Sequence, residues 1–376
     1  MSKIIRIIEN KVNSLPEGFM VSKTKYGEKK AIKKKKLLYS GIVWTKEQED
    51  RFNRFWIENY GKKINPAWHK LYQSANGVFD EKYFPEYFYT TRLEPALNPL
   101  AYCKVLSDKN LLPYIFGGND SGVYIPKVYL SCVNGRYKTI DNKLLSRTQA
   151  EQYMCNIGQC VFKPSVDTGS GSGVFIADID GDIDKNSNKT ISEIMDSLGK
   201  NFLVQETVHN NSRISKVCPK SLNTFRIITY YVDDDIHYAP LVMRMGSGSN
   251  LVDNIHAGGL CIGVNVDGTL KTKAYQLGYG DNNLTFTTHP YSHVEFENYY
   301  IGDIDKAVNA AIELHKRIPQ LGIVSWDFTI NDKEQAVLIE ANCRDQSIWF
   351  PQVVNECSFF RENTAYFSKM LRDKLS

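Results

Sequence analysis

Along the first 75 or so residues apolar positions recur at helical spacing, with Phe52, Phe55, Trp56 and Tyr60 forming the clearest stripe, and the pattern predicts a helical region. Between 80 and 100 that periodicity breaks. Pro85, Pro95 and Pro99 punctuate the aromatic-rich stretch FPEYFYTTRLEPALNP, which predicts an irregular connector packed on a core. Beyond it the two periods interleave: a short helix near 100–111, β-rich pieces over 122–140, a helix near 146–157, strands at 160–164 and 173–178, and a helix over 190–199. Further strands are predicted at 201–206, 223–232, 237–245 and 260–266. A helix carried by Ile304, Val308, Ala311, Ile312 and Leu314 precedes a pair of strands within 323–341. Short turns join most neighbouring strands, which predicts an α+β protein with antiparallel sheets rather than a doubly wound parallel sheet.

At 376 residues the chain is long enough for two or three packed units, and 42% hydrophobic with 23% charged residues excludes a disordered or fibrous protein. No apolar run approaches the roughly 18 to 20 residues that cross a bilayer. The opening MSKIIRIIENKV has charges within its short apolar pattern and no small-residue cleavage site, so a cytoplasmic location is expected. Eight cysteines without a C-x-x-C pair suggest neither a zinc site nor a disulfide framework, and read as free thiols. The net charge of +4 conceals an asymmetry, because eight lysines and one glutamate lie between Lys23 and Lys36 and the rest of the chain is net negative. That stretch reads first as a solvated face, and alternatively as a docking surface for anionic lipid headgroups, giving peripheral membrane association, or for a polyanion. Nothing elsewhere supports nucleic acid as a partner, and the oligomeric state is not legible.

The stretch VFKPSVDTGSGSGVFIAD, residues 161–178, places Lys163 ahead of Gly169-Ser170-Gly171-Ser172-Gly173, with strand-forming residues on both sides. A Walker A loop needs Lys-Ser/Thr and a helix after its last glycine, whereas Val174-Phe175-Ile176 follows here. The dinucleotide-binding loop also opens a helix, and the lysine and H-R-D that accompany a protein-kinase loop are absent. What remains is a β-hairpin with a glycine tip. Such a tip folds over a nucleotide so that its backbone N–H groups reach the phosphates, with Lys163 adding positive charge; a plain glycine-rich turn is the alternative.

Near the C-terminus, GIVSWDFTINDKEQAVLIEANCRD contains two strand patterns around Asn331-Asp332-Lys333-Glu334. A turn centred on Asp332-Lys333 sets Ile330 opposite Gln335 and Asp327 opposite Leu338. Asp327 then shares one face with Glu340 and Asn342, with Asp327 and Glu340 as diagonal neighbours, while Trp326, Phe328, Ile330, Val337 and Ile339 form an apolar face. Two carboxylates and an amide oxygen on one face suit a hard cation, Mg²⁺ or Mn²⁺, shared with substrate phosphates. A solvated polar face is the plainer alternative.

With these residues in order, the chain resembles the ATP-grasp superfamily, and within it the sugar-transfer associated ATP-grasp proteins, related to the RimK-like and glutamate-ligase-like enzymes. The resemblance runs from about residue 79 to 350. It rests on FPEYFYTTRLEPALNP, Asp108-Lys109-Asn110, Lys163-Pro164 before the glycine loop, Val204-Gln205-Glu206, Asn223-Thr224-Phe225-Arg226, Arg244, the D-N-x-H-x-G-G stretch Asp253 to Gly259, and Asp327 with Glu340-Ala341-Asn342. It implies an α+β ATP-grasp fold in which two α+β subdomains grip ATP between antiparallel sheets. The implied units are a helical, lysine-rich region over 1–78, a first subdomain over 79–205 with a lid at 160–178, and a second over 206–376.

By the same resemblance Lys109 and Lys163 contact ATP, Ser170, Gly171, Ser172 and Gly173 belong to the mobile lid, and Gln205 and Glu206 present backbone groups to the adenine. Arg226 neutralises the γ-phosphate, Asn254 and His256 shape the phosphate or acceptor pocket, Arg244 is counted with them among the catalytic residues, and Asp327, Glu340 and Asn342 hold Mg²⁺. One departure is that His209-Asn210-Asn211-Ser212 stands where many relatives carry an acidic residue for the ribose; Asn210 or Asn211 is the available substitute. The implied reaction joins a carboxylate to an amine through an acylphosphate, releasing ADP, with small-molecule and sugar-linked substrates in cell-surface polysaccharide synthesis. A kinase acting on a sugar-like hydroxyl and a non-catalytic nucleotide-binding scaffold are the alternatives.

Overall fold

The computed structural model of the protein describes residues 18, 21–118, 122–166, 173–248, 258–276 and 284–373. Among these residues the strands in chain order are β1 (Val123–Tyr124), β2 (Val128–Val133), β3 (Arg136–Thr139), β4 (Leu144–Leu145), β5 (Gly158–Pro164), β6 (Phe175–Asp180), β7 (Ile183–Asp184) and β8 (Phe202–Glu206). They continue with β9 (Thr224–Val232), β10 (Asp235–Tyr238), β11 (Leu241–Met245), β12 (Leu260–Val264), β13 (Leu270–Gln276), β14 (Leu284–Phe286), β15 (Ile323–Ile330) and β16 (Ala336–Asn342).

Two sheets result. The first has seven strands in the order β4-β3-β2-β8-β5-β6-β7, and the second has nine, β1-β16-β15-β9-β11-β12-β13-β14 with β10 paired to β9. The expectation of antiparallel sheets holds at every pairing but one. β1 runs parallel to β16, a two-residue pairing too short to carry a sequence signal. The predicted strand over 237–245 is broken at Ala239-Pro240 into β10 and β11, because proline has no N–H to continue a ladder.

Side-chain alternation assigns the faces of the nine-stranded sheet. Phe225, Ile227, Met243, Ile262, Trp326 and Phe328 bury one face against the helix Asp305–Lys316, through Ala307, Ala311 and Leu314. Ile228, Tyr230 and Ile323 alternate to the other face, where they pack with Phe52, Trp56 and Tyr60 of the helix Lys46–Tyr60 and with Phe367 and Leu371 of the helix Thr364–Asp373. Val242, Cys261 and Tyr275 meet Trp68, Leu71 and Tyr72 of the helix Ala67–Asn76 in the same way. The helical N-terminal region thus covers part of the face that also carries Arg226, Arg244 and Asp327. A separate core joins the seven-stranded sheet to the helices Arg147–Met154 and Ile191–Leu198.

The stretch 84–99 is helical, not an irregular connector. Glu86–Phe88 and Glu94–Leu97 are α-helical and Tyr89–Leu93 forms a π turn between them. A proline within an α-helix loses a hydrogen bond and collides with the carbonyl four residues back. Here the π turn widens the helix directly before Pro95, and Pro85 lies at the helix start where its missing N–H costs nothing. The run is anchored by buried polar groups. Asn98 donates from Nδ2 to the Ile323 and Cys343 carbonyls at 2.6 and 2.5 Å and accepts from the Ile323 N–H at 3.1 Å. The Glu94 carboxylate accepts from the Asp345 and Gln346 amides, and that of Glu86 accepts from the Ile348 amide. The start of β15 and the loop after β16 are therefore fixed by this helix.

Candidate functional site

The register of β9, β11, β15 and β16 sets Val242, Arg226, Asp327 and Glu340 in one transverse row, each directly opposite the next. The pairing differs from the sequence expectation. Ile330 faces Ala336 and Phe328 faces Leu338, and a bulge then leaves Ile339 without a partner, so Asp327 lies opposite Glu340 instead of diagonal to it. The turn register places Ala336 and Leu338 with Phe328 and Ile330 in the core, and the bulge brings Ala341 beside Trp326, whereas Ile339 stays outside that cluster and Val337 is buried on the opposite face. An extra residue in one strand shifts facing by one position, and no turn rule reveals it from sequence. Asp327, Glu340 and Asn342 still share a face, with Asn342 opposite Ser325.

Asp327 is the electrostatic centre of the row. Arg226 donates from Nε to Oδ1 at 2.7 Å and from an Nη to Oδ2 at 3.2 Å, and Arg244 reaches Oδ2 at 3.0 Å. Arg244 also donates to Thr224 Oγ1, its cross-strand neighbour on β9. Burial alone would raise the Asp327 carboxyl, but the two guanidinium groups hold it below the usual carboxylate range.

The seven-stranded sheet and the segment before it bring two more cations to the row. Lys109 opens a 3₁₀ turn in which the Asp108 side chain accepts from the Asn110 amide, and the Lys109 backbone N–H donates to the Ser165 carbonyl at 2.9 Å. This links the turn to the end of β5. Lys109 Nζ lies 3.0 Å from Glu340 Oε1. Lys163, on β5, is buried, and its ammonium is pushed down to about 8 chiefly by burial; Lys109 adds to that effect and Glu340 opposes it. Lys109, Lys163, Arg226 and Arg244 thus surround two carboxylates, an excess of positive charge in a largely dry setting. Close by, Ser165 Oγ, Ser325 Oγ and both side-chain amide atoms of Asn110 are buried without a hydrogen-bond partner. Such orphaned groups are rare in folded proteins and mark spare donors and acceptors.

The remaining predicted positions are placed as follows. Gln205 and Glu206 end β8, with Gln205 buried; the Glu206 carboxylate accepts from the Tyr124 hydroxyl and from the Lys127 amide. That contact raises the Tyr124 phenol to about 12. Gly173 starts the return into β6 with φ +76°, and a Cβ there would lie 2.8 Å from Pro164 Cγ, so the position requires glycine. Gly169, Ser170, Gly171, Ser172, Asn254 and His256 lie outside the described residues. Asn210 is engaged in the fold: its amide exchanges hydrogen bonds with the Asn223 backbone and meets Thr329 Oγ1. Asn211 caps the helix Ser212–Val217 and donates to Glu334. The sequence pattern marked no role for Glu86, Glu94, Asn98, Asn110, Ser165 or Ser325. An acid inside an aromatic-rich apolar run, as at Glu86 and Glu94, is a signal that could have marked two of them.

Glu340 and Asn342 carry the oxygen donors that Mg²⁺ takes, whereas Asp327 would have to share oxygens that already accept from Arg226 and Arg244. All three offer oxygen, the Glu340 side chain is 26% exposed, and Mg²⁺ is commonly held by one or two carboxylates while keeping water and phosphate oxygens. Among the described residues no cluster of three His, Cys, Asp or Glu forms an all-protein cage.

A family model of sugar-transfer associated ATP-grasp proteins matches residues 89–366. Similar solved structures include carboxyaminoimidazole ribonucleotide synthase from Aspergillus clavatus complexed with ATP, at 10% identity and TM-score 0.38, covering 70% of this chain and 55% of that one. The ATP-grasp ligase PsnB complexed with minimal precursor, Mg and ADP is similar at 9% identity and TM-score 0.36, covering 69% and 57%. VanG D-Ala:D-Ser ligase from Enterococcus faecalis is similar at 13% and 0.35, covering 70% and 61%. The chain spans little more than half the length of these structures, and no curated protein matches it. With the family model covering most of the chain and two sheets meeting over a cationic cluster, the protein belongs to the sugar-transfer associated ATP-grasp family.

Proposed function

We propose that the protein is an ATP- and Mg²⁺-dependent ligase that joins a carboxylate to an amine through an acylphosphate, acting on a sugar-linked or amino-acid building block. The observation that carries this reading is the gathering of Lys109, Lys163, Arg226 and Arg244 around Glu340 and Asp327 where the two sheets meet. A buried excess of cations favours a polyanion such as a triphosphate, and phosphoryl transfer depends on charge neutralisation and placement more than on a protein nucleophile.

In this reading Lys109 and Lys163 neutralise the phosphates from the side of β5, and the hairpin β5–β6 closes over them and keeps water from the acylphosphate. Glu340, Asp327 and Asn342 would hold Mg²⁺, which would supply charge neutralisation to the phosphates when bound. Asp327 also fixes Arg226 and Arg244 through its two carboxylate oxygens, so that both guanidinium groups are held in place for an incoming anion. Gln205 and Glu206 present backbone to the base. The hydrogen bonds that Asn210 and Asn211 make within the fold favour a ribose contact from elsewhere. The family description supplies the pointer to saccharides.

A screen of carboxylates and amines with the purified protein and Mg²⁺-ATP, reading ADP and product mass together, tests the proposal. ADP release that requires both an acid and an amine, with a product heavier than the acid by the amine less water, supports ligation. A phosphorylated hydroxyl as the final product replaces it with a kinase, and no turnover with any pair, together with a biological role left intact by Glu340→Ala, points to a scaffold.

A further inference from the structure

Away from the sheet cleft, the helical N-terminal region forms a groove of about 590 Å³ that the proposed reaction does not use. Lys29, Lys33 and Lys36 line one side, spaced four and three residues apart and so on one face of the helical segment over 21–39. Lys62 and Lys63 line the other side, delivered by the turn at Gly61 that ends the helix Lys46–Tyr60. All five side chains are exposed. The apolar lining comes from Ile64, Trp68, Tyr87 and Phe88, and no lining residue is acidic. Lys35, by contrast, turns inward over the Trp349 ring at 5.0 Å, so the lysine-rich stretch is sorted by side.

A solvated basic face has no reason to be concave, apolar-lined and reinforced by lysines from a second segment. We propose that this groove binds an anionic lipid at a membrane surface, its phosphate headgroup between the two lysine rows and the start of an acyl chain on Trp68, Tyr87 and Phe88. The pairing of charge and apolar surface matches such a lipid on both counts, and the volume lies within the range of small-molecule sites. Among the described residues no helix is long and apolar enough to span a bilayer. Tyr87 and Phe88 belong to the helical run whose Glu86 and Glu94 hold the loop after β16, which places the groove on the element that braces the sheet carrying Glu340.

The experiment is co-sedimentation of the full chain with large vesicles of phosphatidylcholine alone and with about 30% phosphatidylserine or phosphatidic acid. Lys29→Gln/Lys33→Gln/Lys36→Gln and Lys62→Gln/Lys63→Gln are compared with Lys23→Gln/Lys25→Gln/Lys30→Gln, which removes as many charges from the same stretch outside the groove. Each lysine near an anionic surface is worth about fivefold in affinity, so the first triple is expected to lose on the order of a hundredfold and the second pair about twenty-fivefold. The control triple is expected to lose much less. Melting temperatures of these exposed-site variants verify the fold. Absence of binding to anionic vesicles overturns the proposal, as does equal loss in the two triples, which would reveal a general basic face. Displacement by low-millimolar inorganic phosphate would reassign the site to a free anion, and tighter binding of single-stranded RNA with the same lysine dependence would reassign it to nucleic acid.

Discussion

If a triphosphate binds between the sheets, Lys163 must report it as a proton. In the structure its ammonium is pushed down to about 8 by burial, against an ordinary value of about 10.4. At pH 7 about nine-tenths of the molecules carry the charge, at pH 8 about half and at pH 9 about a tenth. Phosphate oxygens beside the amine favour the charged form and return it toward its ordinary value. Binding of Mg²⁺ with a non-hydrolysable ATP analogue should then take up about 0.1 proton at pH 7, about 0.5 at pH 8 and about 0.9 at pH 9, and affinity should weaken about tenfold from pH 7 to pH 9. Isothermal titration calorimetry in buffers of different ionisation enthalpy measures the uptake directly. Lys163→Met should abolish its pH dependence while leaving the protein no less stable at pH 7, since the lysine is charged at a cost in its buried site. An uptake that stays near zero at pH 9, or persists in Lys163→Met, would refute the placement of Lys163 against the phosphates.

Three other outcomes follow from the same geometry. Asp327→Asn leaves Arg226 and Arg244 side by side without their counter-charge, and breaking a buried pair in this way should cost about 3–5 kcal/mol in urea unfolding; a loss below about 1 kcal/mol would show the arginines to be solvated. Glu340→Gln takes the carboxylate charge away from Lys109, whose side chain is only 10% exposed, so stability should fall by about 1–3 kcal/mol while Mg²⁺-dependent nucleotide binding falls at least tenfold. Retained Mg²⁺ dependence would remove Glu340 from the metal set. Glu94 is raised to about 8 by burial, above its unfolded value, so its contribution is complete at pH 4 and is lost as pH rises through 8. Denaturation between pH 5 and 8 should show wild-type stability falling with pH and Glu94→Gln showing a shallower slope; parallel slopes would contradict the assignment.

Much of this architecture was legible because local pattern and long-range packing agree. The stripe Phe52, Trp56 and Tyr60 is buried as its spacing implies, and β9, a run of β-branched and aromatic residues buried on both faces, reads directly as a strand. The failures have physical causes. Three prolines in 84–99 argued against helix, yet each lies at a segment start or beside the π turn, where its defects are absorbed. The bulge at Ile339 depends on the pairing of two strands and leaves no mark in either one alone. β13 and the helices Trp349–Asn355 and Thr364–Asp373 escaped because nothing in the pattern singled them out; only contact with the sheet and with the N-terminal helices fixes them. At the site, sequence named Arg226, Arg244 and Asp327 separately. That the two arginines share one carboxylate is a property of register.

The central claim is that a nucleotide and a metal lie between the seven- and nine-stranded sheets. A crystal structure with Mg²⁺ and a non-hydrolysable ATP analogue tests it most directly. The account predicts the phosphates beside Lys109, Lys163 and Arg226, with the metal on Glu340 and Asp327. A nucleotide bound elsewhere, or a metal that leaves both carboxylates untouched, would contradict it.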